Sequence, residues 1–249
     1  MHPSDTHKKS VITIRDLKKH FGTNKVLDGF HLDLLQGENT VVLGRSGSGK
    51  SVLIKCIIGL LVPDAGSIRV LGNDITSIKH SQLDGLRKRV GFLFQSNALY
   101  DSMSVRENLE FPLRRHGTRL SESQALERVQ EVLKDVGLSH TIDMMPSELS
   151  GGMMKRIALA RTMMLRPEII LYDEPTAGLD PVTGKDITRL MMMIREKYNT
   201  AAIIISHDMK CARATANKVV MLLEGKNYSE GTYRDFAQSD DPHIKAFFE

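Results

Sequence analysis

Gly44, Arg45, Ser46, Gly47, Ser48, Gly49, Lys50 and Ser51 fit the pattern G-x-x-x-x-G-K-[ST], with an apolar run before them and a helical run after. Glycines at these spacings let backbone N–H groups turn inward around a polyphosphate, and the N-terminus of the following helix adds partial positive charge. Lys50 is expected to reach the β and γ phosphates, and the Ser51 hydroxyl to hold a Mg²⁺ ion bridging them. A glycine-rich turn is the bland alternative; the strand-before, helix-after context argues against it.

Phosphate-transfer chemistry also needs acidic groups. Asp173 and Glu174 supply them at the end of the apolar run Ile169, Ile170, Leu171 and Tyr172. Asp173 at the strand tip is expected to hold the Mg²⁺ shell, and Glu174 to polarise the attacking water as general base. Alone, an Asp-Glu pair reads as a turn; beside a phosphate loop it reads as a catalytic pair. Leu149, Ser150, Gly151, Gly152 and Met153 form a second anion cradle, because free N–H groups and the helix dipole again favour a phosphate. One subunit does not need two cradles for one nucleotide.

Elements that could position these residues follow from the pattern of the chain. Apolar, β-branched runs at 11–14, 40–43, 67–70, 90–94, 169–172, 202–205 and 218–223 read as strands. Helices are expected over 50–61, 123–136, 152–165 and 181–198, the last with Asp180 as N-cap and Pro181 at its first position. This alternation implies a mostly parallel α/β sheet. Residues 96–165 hold helical patterns and turn residues without a convincing strand, so they read as a helical insertion into a discontinuous core.

Composition removes several function classes. Of 249 residues, 41% are hydrophobic and 26% charged, which describes a folded protein rather than a disordered tail. The longest unbroken apolar stretch, 56–62, is far short of the roughly 20 residues of a membrane-spanning helix. The polar stretch 1–10 has no apolar core ahead of a cleavage site, so the expected compartment is the cytosol. Cys56 and Cys211 are too few and too far apart for a disulfide framework or metal knuckle, and read as reduced structural thiols. Thirty-four Lys and Arg against 30 Asp and Glu leave +4, a mild excess that allows nucleic-acid binding without indicating it. Nine of the 13 methionines fall between Met144 and Met193; packing is the sober reading, against a soft lipid-handling surface.

The Ser150-Gly151-Gly152 segment resembles the signature of the ATP-binding subunits of ABC transporters, and the remaining motifs of that family follow in order. The resemblance spans roughly residues 11–236. It implies a P-loop (RecA-like) ATPase core with an N-terminal β subdomain, core segments 11–95 and 166–236, a helical subdomain at 96–165 and a tail at 237–249. By the same resemblance, Gln95 senses Mg²⁺ and the γ-phosphate, and His207 contacts the γ-phosphate. Phe21 stacks on adenine, and Asp180 lies in the loop at the dimer seam. The implied cofactors are ATP and Mg²⁺. The implied assembly is a homodimer in which each signature closes on ATP held by the other phosphate loop, docked on transmembrane permease subunits.

Met153 stands where most members carry Gln, and Met cannot make that residue's hydrogen bonds. Together with Arg45, Val52, the segment 95–105 and the tail from Ser239 to Phe247, it resembles the lipid-transport branch, the Mla or Mce-associated ATPases. That branch implies phospholipid as cargo, an MlaE-like permease, an Mce (MlaD-like) substrate-binding protein and a STAS-domain regulatory subunit as a further candidate. It also implies peripheral attachment to the cytoplasmic side of the bacterial inner membrane. The alternatives are an ATPase serving an importer of amino acids, metals or another small solute, and a soluble ABC protein acting on nucleic acid or ribosomes. A zinc motif, a heptad insertion and a strong basic tract, which would favour the last, are absent from the sequence.

Overall fold

The computed structural model describes residues 9–248. The polar stretch 1–8 and Glu249, the last residue of the expected tail, lie outside them. Among the described residues, ten strands form two sheets. β1 (Ser10–Phe21), β2 (Asn24–Leu35), β4 (Ala65–Val70) and β5 (Asn73–Asp74) make an antiparallel sheet of order β2-β1-β4-β5. β3 (Asn39–Leu43), β6 (Val90–Leu93), β7 (Ile169–Asp173), β8 (Ala201–Ile205), β9 (Lys218–Leu223) and β10 (Lys226–Gly231) make the second, of order β10-β9-β3-β8-β7-β6. All its pairings are parallel except that of the edge strand β10.

The apolar runs of the central strands have a direct cause: both faces of the sheet are covered, and successive side chains point to opposite faces. Ile170, Tyr172, Ala202, Ile204, Val219 and Met221 enter one core, shared with helices. Ile169, Leu171, Ala201, Ile203, Ile205, Val220 and Leu222 enter the other, shared with the antiparallel sheet and the helix after β3.

Helices join the strands as follows: α1 (Lys50–Ile57), α2 (His80–Arg87), α3 (Val105–Arg115), α4 (Glu122–Asp135), α5 (Gly151–Met163), α6 (Pro181–Tyr198), α7 (Met209–Thr215), α8 (Tyr233–Ala237) and α9 (Pro242–Lys245). Among the described residues no strand interrupts the chain from α3 to α5, which supplies the helical layer. No helix of the described residues is long and apolar enough to cross a membrane.

Several sequence-based bounds shift, each for a local reason. α1, expected to run to residue 61, ends at Ile57, where the N–H groups of Gly59 and Leu60 turn back to the carbonyls of Cys56 and Lys55. α5 starts one residue early because Ser150 is its N-cap, accepting from the Met153 N–H. β6, expected to run to residue 94, ends at Leu93, so Gln95 lies in the loop beyond the strand. α6 matches its expected span, with Asp180 accepting from the N–H groups of Val182 and Thr183.

The methionine cluster is mostly core: Met163, Met164 and Met191 are buried in the helical-face core, and Met144, Met153, Met154 and Met193 pack against it. Cys56 and Cys211 are free and buried, and burial pushes both thiols up to about 11, leaving them protonated and unreactive.

Candidate nucleotide site

Four loops leave the C-terminal ends of parallel strands and meet at one edge of the sheet, the usual ligand edge of such sheets. After β3 comes the loop 44–49, after β6 Gln95, after β7 Glu174 and after β8 His207. They enclose an open cavity of about 580 Å³. Of the residues singled out from sequence, Phe21, Ser46, Gly47, Gly49, Lys50, Ser51, Val52, Gln95, Glu174 and His207 line it together. Gly44, Arg45 and Ser48 belong to the same loop without lining the cavity, and Asp173 joins through Ser51, whose hydroxyl lies 3.4 Å from its Oδ1.

The loop is built around its backbone. Gly49 has φ +101°, and a Cβ there would lie 2.8 Å from Val26 Cγ1 on β2, so only glycine lets the chain turn into α1 this close to its neighbour. Lys50 is buried and donates from Nζ to the carbonyls of Gly44, 2.7 Å, and Arg45, 3.0 Å, curling over the loop it anchors. Burial lowers its pKa, while the charges of Glu174 and Asp173 raise it again.

The acidic side holds two crowded carboxylates. Burial, then the neighbouring Glu174 charge, raises the Asp173 pKa; the Ser51 hydrogen bond and Lys50 oppose this. Glu174 adopts φ +48°, held by its N–H donating to Ile205 O at 3.0 Å, and its Oε2 lies 2.9 Å from His207 Nδ1. These residues fit a magnesium-bound nucleotide. Hard oxygens of Ser51 and Asp173 converge where a divalent cation would relieve the carboxylate crowding, Lys50 supplies a cation, and the buried Ser48 hydroxyl has no partner within the protein.

Ser150, Gly151, Gly152 and Asp180 do not line this cavity. The Ser150 cradle opens α5 at an exposed position, and the Asp180 carboxylate is spent capping α6, with Thr183 Oγ1 donating to it at 2.5 Å. One chain therefore brings together the phosphate loop and the acidic pair, and leaves its second anion cradle outside.

The sequence profile of the ABC transporter family matches residues 27–177. The chain belongs to the ABC transporter family. It is an ATPase domain of that family, and the fold agrees with the family's solved structures. A dimeric ATP-binding cassette in a post-hydrolysis state, bound to ADP and Pi, superposes with a TM-score of 0.81 at 29% identity, covering 90% of this chain and 99% of that one. Two relatives from curated sequences differ in name. The intermembrane phospholipid transport system ATP-binding protein MlaF of Haemophilus influenzae is 37% identical over 96% of this chain and 90% of its own length. The methionine import ATP-binding protein MetN of Rhizobium johnstonii is 38% identical over 90% of this chain, which spans 61% of that longer protein.

Within this ABC transporter domain the cavity also contains residues that pattern reading missed. Val26 and Ile205 form apolar wall beside Phe21 and the loop. Val26 sits on β2, whose alternation breaks phase: Leu27 and Phe30, three apart, are both buried, with Gly29 at φ +94° between them. A strict two-residue period could not register that strand. Lys155 and Arg161 of α5 do not line the cavity, but both donate to carbonyls of the loop that carries Gln95; nothing in the sequence marks a helical cation as aimed at a loop sixty residues earlier.

Proposed function

We propose that this chain is the ATP-hydrolysing subunit of an ABC transporter that moves phospholipid between bacterial membranes, working as a homodimer with two composite nucleotide sites. The observation that carries the composite site is the separation just described: the phosphate loop and acidic pair line one cavity, and the Ser150 cradle lies outside it.

In this reading Phe21 stacks on adenine. The backbone of residues 44 to 49, together with Lys50, Ser51 and Val52, holds the phosphates. Ser51, Gln95 and Asp173 hold Mg²⁺, which when bound neutralises phosphate charge. Glu174 accepts a proton from the attacking water, and His207 orients Glu174 through Nδ1 while turning its other nitrogen to the γ-phosphate. Ser150, Gly151 and Gly152 serve the nucleotide of the other subunit, and Asp180 stiffens the seam by capping α6. Positioning and electrostatic stabilisation then carry the chemistry.

A second cavity, of about 440 Å³, lies between the sheet edge and the helical layer, with Phe94, Tyr100 and Phe111 among its lining. Tyr100 is 44% and Phe94 39% exposed. This groove suits a short amphipathic helix from a permease, so attachment to the membrane is peripheral. The phospholipid reading draws on the resemblance to MlaF across nearly the whole of both chains. Its partners are an MlaE-like permease, an Mce (MlaD-like) substrate-binding protein and a STAS-domain subunit. The resemblance to the methionine import protein favours a small-solute importer instead.

Two experiments test the proposal. Mixing Ser150→Arg with Lys50→Ala subunits should restore one active site per heterodimer; verified heterodimers without activity would refute composite sites. Purification of the chain with its membrane partners should bring down an Mce protein and phospholipid. Recovery of a periplasmic solute-binding system would favour the importer.

A further inference from the structure

We propose that Lys155 and Arg161 on α5 are positioning residues that tie the Gln95 loop to the signature helix, so that each subunit's signature moves with its own nucleotide site. This deepens the reading of composite ATP sites and rests on it.

Lys155 is 2% exposed, yet it makes no ion pair among the described residues. Its Nζ donates to the backbone carbonyls of Gln95, at 3.0 Å, and Phe94, at 3.4 Å. Burial lowers its pKa, and Asp173 is the acidic charge that favours the ammonium form. Arg161, further along the helix, donates to the carbonyls of Asn97, 3.0 Å, and Ala98, 2.7 Å. Four carbonyls within five residues of one loop thus accept from two cations of one helix. A buried ammonium and a guanidinium need such acceptors, since each unsatisfied donor would leave charge without solvent.

The loop itself is strained. Asn97 and Ala98 have φ of +60° and +53°, a left-handed pair without glycine, and the buried Asn97 Oδ1 has no partner. Such a conformation persists only where its surroundings impose it, and here Arg161 grips both carbonyls. At one end of this assembly, Gln95 lines the nucleotide cavity. At the other, Ser150 opens the same helix five residues before Lys155, a rigid span of about 7.5 Å. Displacement of Gln95 therefore pulls on Lys155, and the helix carries that pull to the signature that serves the opposite site.

The chain lacks tryptophan, so Ser147→Trp, at an exposed position just before the signature, gives a single fluorescent reporter. In the Glu174→Gln background, at concentrations where sedimentation shows monomer, Mg-ATP should shift its emission. Lys155→Met should abolish that shift while ATP affinity stays within about threefold. In the chain that retains Glu174, the same change should lower kcat by about tenfold to a hundredfold, as expected for a misplaced positioning group. Lys155→Arg should restore both readouts. An unchanged shift in Lys155→Met, no shift in the parent, loss of ATP affinity, or failure of Lys155→Arg to rescue would each overturn the link. Because the emission readout lies within one chain, its failure is separable from failure of the mixed-subunit test, which alone bears on composite sites.

Discussion

His207 Nδ1 and Glu174 Oε2 lie 2.9 Å apart although 33 positions separate them in the chain. Glu174 is largely enclosed, its side chain 13% exposed, whereas His207 is 68% exposed. The imidazole thus meets, from the open side, a carboxylate whose backbone is already fixed by the bond to Ile205. A carboxylate accepts, so Nδ1 donates and Nε2 is left as the acceptor nitrogen of the neutral ring.

Replacing the base should separate chemistry from binding. Glu174→Gln keeps the shape and removes the proton acceptor, so kcat should fall by about 10²–10⁴. ATP affinity should be retained, and a nucleotide-bound dimer should accumulate on size exclusion. Hydrolysis at the rate of the unaltered chain would remove Glu174 from its role.

Lys50→Ala should act in the opposite sense. Losing a charge-assisted contact to phosphate costs about 1.5–3 kcal/mol, which corresponds to about a tenfold to hundredfold rise in Kd. Equilibrium binding of a fluorescent ATP analogue measures this, and an unaltered Kd would contradict a phosphate clamp at Lys50.

Asp173 carries a pH signature. Its folded-state pKa is raised by burial and by Glu174 above the ordinary 3.8, so the folded chain binds this proton more tightly than the unfolded one. The resulting stabilisation is full below the ordinary value and is lost as pH rises through the raised one. At neutral pH the ionised carboxylate is therefore a net cost in the absence of a cation. Asp173→Asn should raise the Tm of nucleotide-free protein at neutral pH and remove the additional Tm increase that Mg²⁺ gives to ATP. Calorimetry with and without Mg-ATP checks both, and a lower nucleotide-free Tm in the variant would contradict the cost.

Gly152 tests the packing of the signature against α6. A Cβ at this position would lie 2.7 Å from Thr183 Cγ2, and Thr183 cannot rotate away without breaking its bond to Asp180. Gly152→Ala should destabilise the domain by about 1–3 kcal/mol through overpacking. Adding Thr183→Ser, which removes the clashing methyl and keeps the hydroxyl, should recover most of it. Urea unfolding of the single and double variants measures the coupling; additive losses would refute the contact.

Much of the fold was legible because local chemistry wrote it. Asp180 and Pro181 marked the start of α6, and the apolar runs of β7 and β8 reported a sheet covered on both faces. What escaped had physical reasons. β1 and β2 carry bulges that shift the buried residues out of phase, from Ile14 to Leu17 and from Leu27 to Phe30. β10 is a polar edge strand, set by the turn through Glu224 and Gly225, both at positive φ. α3 holds Pro112 in its interior, which speaks against a helix until the Ser104 capping box and its packing are seen.

By itself the sequence determined which short runs could do chemistry: a glycine-rich loop ending in Lys50 and Ser51, an acidic pair after a buried strand and a Ser-Gly-Gly helix start, each legible from its immediate neighbours. Tertiary structure decided which of these share one site. Parallel pairing of β3, β6, β7 and β8 delivers Gly49, Gln95, Glu174 and His207 to one edge and leaves Ser150 outside. It also aimed Lys155 at the Gln95 carbonyl across 60 positions, since the direction of a buried cation is set by the helix that carries it and the sheet against which that helix packs.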